Sequence, residues 1–198
     1  MFRPILFNTE MVKALLEGRK TVTRRLIKPQ PLPVVNTLYR KDGTNIWRSF
    51  GADWWYEFQE PCVPGDILWV RETWCESMGQ AGKYFYRAYA GPTDEMKEYA
   101  HSFNRWRPSI HMPREAARIF LKVTDVHAEK LREMVLADVL MEGIQEAETY
   151  EETWDLWHRT WDSCIKPSDL PTCGWQADPW VWVIRFERCQ RPERGGEG

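Results

Sequence analysis

Two apolar runs limit the folds open to this chain. Ile67-Leu-Trp-Val70 follows the turn signal Val63-Pro-Gly-Asp66, and Trp180-Val-Trp-Val-Ile184 follows Pro179. Each run is near-continuous instead of spaced at threes and fours, which predicts buried strands and not amphipathic helices. Neither approaches the ~20 apolar residues that a membrane span needs. Lys20–Ile27, rich in β-branched residues and stopped by a Pro-rich KPQPLP stretch, reads as another strand. KYFYRAY (83–89) reads as the partner of the 67–74 strand, and a further strand is expected from about Arg118 to Val126.

Helical signals are fewer. Asn8 or Thr9 can cap a helix carrying Met11, Val12, Leu15 and Leu16 on one side, with Gly18 as its left-handed stop. LREMVLADVLMEG reads as a short helix ended by Gly143. Thr149 with Glu152 forms a capping box for a third helix, in which Trp154, Trp157 and Trp161 recur at helical spacing as a core stripe. The expectation is an α+β, mostly β fold: a small β-barrel decorated by two or three helices. It would be one domain over residues 1–188, with irregular excursions at about 30–62 and 90–112 and a solvated tail at 189–198. The first excursion carries aromatic clusters at Trp47, Trp54 and Trp55.

The chain has 198 residues, 43% hydrophobic and 28% charged, within the range of globular proteins. Its net charge of −2 lacks the global basic signature of a nucleic-acid binder. The charge is unevenly spread: residues 1–50 hold ten Lys or Arg against three Asp or Glu, and residues 128–163 hold the reverse, three against ten. The two segments either neutralise each other across the fold or leave a basic face for phosphates. The start has no apolar h-region, so a cytoplasmic location is expected by default. Five cysteines without CxxC spacing, and His101, His111, His127 and His158 without HxxxH spacing, predict free thiols and no metal. Without a P-loop, GxGxxG or nucleophile elbow, no cofactor is expected.

Two places can carry chemistry. In Glu17-Gly-Arg-Lys-Thr-Val-Thr-Arg-Arg25, strand alternation would separate Lys20 from Thr23, so their meeting requires Lys20 to precede the strand. Arg19 and Lys20 also suit a plainer role as cations at a helix C-terminus. Glu142, beside the Gly143 stop, is a carboxylate at the wrong end of a helix and needs a nearby cation. If that cation is Lys20, burial near Arg19, Arg24 and Arg25 would let the amine lose its proton and activate the Thr23 hydroxyl. The second place is RWRPSIHMPR, where Arg105, Arg107 and Arg114 interleave with Trp106 and His111. This is a composition suited to phosphate contact and base stacking, or else to a solvated surface loop.

EGRKTVTRR after a helix, PGDILWVRETW, WRPSIHMPR, LADVLMEG and the final WVWVIRF together resemble the ASCH domain family, in the larger form found in phages and prophages. The likeness covers most of residues 3–188. It implies a PUA-like β-barrel and a role on RNA or modified nucleosides. Small members remove acetyl from N4-acetylcytidine with a lysine and threonine in a GRKTxT motif and a glutamate from a later helix. On that resemblance Thr23 is the nucleophile, Lys20 its activator and Glu142 the lysine's partner. From their charge and composition, Arg19, Arg24, Arg25, Arg105, Trp106, Arg107, His111 and Arg114 are the residues expected to bind substrate or nucleic acid. The expected function is a cofactor-free amidohydrolase acting on acylated pyrimidines. The alternatives are a non-catalytic RNA- or DNA-binding module, or a metal-independent ribonuclease. The partner is then a modified nucleoside or a nucleic acid, with no membrane involved.

Overall fold

The computed structural model describes residues 1–32, 37–50, 55–77, 80–89 and 105–192. Residues 90–104 of the expected second excursion, Trp54, and residues 193–198 of the expected tail lie outside them. The described chain gathers into two compact units of interleaved segments. One holds Met1–Gly18, Gly65–Lys122 and the residues from Glu187 on; the other holds Arg19–Pro64 and Val123–Phe186.

In the first unit, β1 (Phe2–Leu6) pairs in parallel with β6 (Ile67–Arg71), Phe2 opposite Ile67. The other side of β6 pairs antiparallel with the start of β9 (Phe120–Lys130), Trp69 opposite Phe120. Helix α1 (Thr9–Leu16) begins where Asn8 Oδ1 accepts the Met11 N–H at 2.9 Å, and its Val12, Ala14 and Leu15 are buried. The expected 67–74 strand breaks after Arg71. A short β7 (Trp74–Glu76) then pairs with β8 (Tyr84–Tyr86), so KYFYRAY partners β7 and not β6. Trp74, Met112, Ala116, Ala117 and Phe120 form this unit's core, with Phe2, Ile67 and Trp69 packed around them.

In the second unit, β2 (Val22–Leu26) runs antiparallel to β10 (Trp180–Cys189), Val22 opposite Arg185 and Leu26 opposite Val181. β10 lies in turn beside β9. Every residue from Trp180 to Ile184 is buried, the pattern of a strand covered on both faces. The 30–62 segment is more regular than expected. It forms its own antiparallel sheet, β3 (Tyr39–Arg40), β4 (Ile46–Phe50) and β5 (Trp55–Gln59). Three α-helices follow: α2 (Leu136–Met141), α3 (Tyr150–Ser163) and α4 (Leu170–Cys173). Thr149 caps α3 by accepting the Glu152 N–H at 3.2 Å. Trp157 and Trp161 enter a core with Val22, Leu131, Val139, Val181 and Val183.

The chain is thus mixed α+β, but the expected closed barrel is absent. The strand orders β1–β6–β9 and β9–β10–β2 each end on a strand with one neighbour, so among the described residues the sheets are open. The outer edge of β2 shows why. Along it, the Thr21 N–H is taken by Met141 O, Val22 O by Lys20 and the Arg24 N–H by Glu142, so another strand could not pair there without displacing them. No described helix is long and apolar enough to cross a membrane.

Candidate functional site

The free edge of β2 is where the expected Lys20, Thr23 and Glu142 gather, all within the second unit. α2 ends at Glu142, and Gly143 turns the chain at φ +91°, a left-handed conformation that glycine adopts without a Cβ clash. The helix end lies against the strand edge, with Thr21 N–H donating to Met141 O at 2.9 Å. Arg24 N–H donates to Glu142 Oε1 at 2.7 Å. Lys20 precedes the strand, as a meeting with Thr23 requires. Its Nζ donates to Val22 O (2.9 Å), Glu142 O (2.8 Å) and Glu142 Oε2 (2.6 Å). Arg19 donates to Gly143 O. Both cations therefore cap the negative end of a helix, but the helix is α2 and not the preceding α1.

Lys20 and Glu142 are each 3% exposed, and Thr23 is 4% exposed. Burial is the largest influence on Lys20 and pushes its ammonium below the ordinary value of 10.5. Glu142 opposes that shift by charge and hydrogen bond, while Arg25 and Arg24 add to it. The Thr23 hydroxyl engages no hydrogen-bond partner among the described residues. Thr23 pairs in register with Ile184, and Arg25 with Trp182, so these four share one face of the sheet. Trp47 of β4 meets Trp182 edge to face at 6.0 Å and 70°. Its indole N–H donates to the buried Glu60 at 2.8 Å, which fixes the ring.

Arg24 does not face solvent. Its side chain is 1% exposed, with Nη2 at 2.7 Å from Glu129 and 3.6 Å from Asp138, and Nη1 at 3.5 Å from Glu142. Burial also pushes Arg25 below its ordinary value, with Glu142 and Cys164 opposing. The basic 1–50 and acidic 128–163 segments thus neutralise each other here. Glu129 lies on β9 in the alternating series Asp125, His127, Glu129. That polar stripe at every second position is the signal for it in the sequence. An open cavity of about 540 Å³ adjoins the site, lined by Arg19, Leu140, Met141, Ile144, Gln145 and Glu146.

Arg105, Trp106, Arg107, His111 and Arg114 all belong to the first unit. Arg105, Arg107, His111 and Arg114 are exposed and Trp106 is half-buried. The Arg107 guanidinium lies 5.2 Å from the Trp74 ring centre, and that of Arg114 lies 4.2 Å from the Phe2 ring centre. The Arg107 backbone bridges to Trp74 in both directions, at 2.7 and 3.2 Å. Arg71, Glu72 and Arg118, to which the sequence assigned no site role, lie around the loop. Arg71 donates to the carbonyls of Ile110 and Met112. Buried Glu72 takes a two-pronged contact from Arg118 at 2.9 and 2.8 Å, and that guanidinium lies 4.0 Å from the Tyr86 ring centre. An apolar strand ending in Arg-Glu was the only hint.

No cluster of three or more metal-ligating side chains occurs among the described residues. Comparison with protein-family models, curated proteins and solved structures gives no match.

Proposed function

We propose that the chain is an ASCH-type amidohydrolase that deacylates an N4-acetylcytidine-like pyrimidine at Thr23. The observation that carries the reading is the buried Lys20–Glu142 contact at 2.6 Å, held against the edge of β2, the strand that carries the buried Thr23 with its uncommitted hydroxyl. As described, Lys20 directs three N–H donors at three oxygens, the arrangement of the charged form. Burial and two flanking arginines favour loss of one proton, and the amine so formed can accept the Thr23 proton.

The Thr23 oxygen then bonds to the acyl carbon. The C–N bond breaks, and the departing exocyclic nitrogen takes the proton back from Lys20. Water hydrolyses the resulting ester and restores Thr23. Glu142, anchored by the Arg24 N–H and by Lys20, orients the amine. Trp47, half-buried, supplies aromatic surface for the base on the Thr23 face, with the buried Trp182 packed behind it. The test is cytidine release from N4-acetylcytidine. The wild type turns over and Thr23→Ala, folded, does not; equal turnover by both removes Thr23 from the chemistry.

A second reading has its own observation. Lys20 and Glu142 satisfy Val22 O and Arg24 N–H, two groups on the open edge of β2, and so block pairing with another chain. On that reading, substitution at Lys20 or Glu142 produces self-association and no change in any deacylation. RNA binding through the RWRPSIHMPR loop is a separate activity, read as salt-dependent affinity that weakens in Arg107→Ala.

A further inference from the structure

We propose that Glu129 and Arg24 are positioning residues for the Lys20–Glu142 pair, their charges setting how readily Lys20 gives up its proton. This rests on the hydrolase reading of that pair and extends it to groups set behind it. Arg24 is one guanidinium among three carboxylates. Glu129 of β9 takes its short contacts, 2.9 Å from Nε and 2.7 Å from Nη2. Asp138 of α2 lies 3.6 Å from Nη2, and Glu142 lies 3.5 Å from Nη1. Nη1 itself is buried with no hydrogen-bond partner, so the side chain is held off Glu142 by its closer attachment to Glu129. Glu142 is then free to give its short contact to Lys20.

The remaining charges are accounted for from each neighbouring element. Arg185 of β10 lies 3.5 Å from Asp138. Arg25 of β2 bears on Lys20 and is itself influenced by Glu142 and by Cys164 after α3. At the open end, His127 Nδ1 meets Asp125 at 2.7 Å, and its Nε2 stands 3.5 Å from Glu129. Hydrogen bonding to Glu129, opposed by burial and aided by Asp125, raises His127 above its ordinary value. The chain Asp125–His127–Glu129–Arg24–Glu142–Lys20 thus joins a half-exposed imidazole to a buried amine through contacts of 3.5 Å or less.

Removing the Glu129 charge has one sign. The guanidinium charge then falls on Asp138 and Glu142, Glu142 offers less to Lys20, and the ammonium loses its proton at lower pH. The test uses the full chain with 13C-labelled lysine, following the Lys20 Cε resonance against pH in wild type, Glu129→Gln and His127→Gln, with the pH dependence of kcat/KM for N4-acetylcytidine alongside. Glu129→Gln should weaken the proton affinity of Lys20 by about threefold or more, and the acid limb of kcat/KM should move down by the same amount. His127→Gln should leave the Lys20 midpoint in place wherever the imidazole is already neutral, which separates a charge effect from simple surface damage. An unchanged Lys20 midpoint in Glu129→Gln overturns the proposal, as does a Lys20 that stays protonated through about pH 10 in both proteins. If the Lys20 midpoint moves but wild type releases no cytidine, the charge coupling stands and the hydrolase reading fails.

Discussion

Glu142→Gln isolates the charge at the centre of the site. The side chain keeps its shape, but one of its two oxygens becomes an amide nitrogen. Only one of the two present donors, Arg24 N–H at 2.7 Å or Lys20 Nζ at 2.6 Å, then retains an acceptor there. Lys20, 1% exposed in its side chain, is left without its carboxylate. Removing one partner of such a buried pair typically costs about 3–5 kcal/mol. Lys20 has one escape, which is to fold as the neutral amine. At pH 7, relative to an unfolded lysine, that costs at most about 5 kcal/mol and falls by ~1.4 kcal/mol for each pH unit gained.

The sign follows from proton binding. Glu142 holds the Lys20 value up against burial, so Glu142→Gln lowers the folded value further. Between the two folded values only the folded variant has lost the proton, and only its stability rises with pH. Urea denaturation at pH 6, 7, 8 and 9 should therefore show a gap from wild type of about 3–5 kcal/mol at neutrality that narrows toward alkaline pH. A gap that stays constant across the series, or no gap at pH 7, would refute a buried, charge-dependent pair.

Trp157→Ala should cost about 3–5 kcal/mol by urea denaturation, because the ring is 3% exposed in the core of the second unit; a loss under 1 kcal/mol would place it outside that core. Thr149→Ala removes the acceptor of the Glu152 N–H and should lower stability by about 1 kcal/mol, read from the same midpoints. Asp125→Asn should bring the His127 titration, followed by NMR, down toward its ordinary value. The raised folded value means that this interaction contributes fully below pH 6.5 and is lost as pH rises through the folded value. Arg107→Ala should leave turnover of the free nucleoside unchanged while reducing the salt dependence of any RNA binding by about one counterion.

Periodicity and capping made much of the fold legible. Asn8, Thr149 and the left-handed Gly18 and Gly143 act through bonds only a few residues long, so local sequence carries them. The apolar run at 180–184 is a strand buried on both faces, and the run at 67–71 alternates buried with half-buried residues. β1 was missed because Phe2–Leu6 owes its structure to parallel pairing with β6, sixty-five residues away. The sheet at 39–59 reads as irregular because its strands are short and mix polar with apolar residues on both faces. Barrel closure depends on what occupies the outer edge of β2, which no local pattern specifies.

In the site, the misplaced carboxylate at Glu142 pointed to a cation, and Lys20 stands there. Arg24 was expected to bind substrate, because strand alternation does not say which face meets Glu129, Asp138 and Glu142. Those partners lie more than a hundred residues further along the chain.

The most direct test of the account is a rapid acid quench of wild type mixed with N4-acetylcytidine, followed by peptide mass spectrometry. Acyl transfer to Thr23 predicts a transient acetyl group on the peptide that contains it, with cytidine released in step and neither signal in Thr23→Ala. Cytidine release with no acetylated Thr23 at any quench time, or release undiminished in Thr23→Ala, would contradict it.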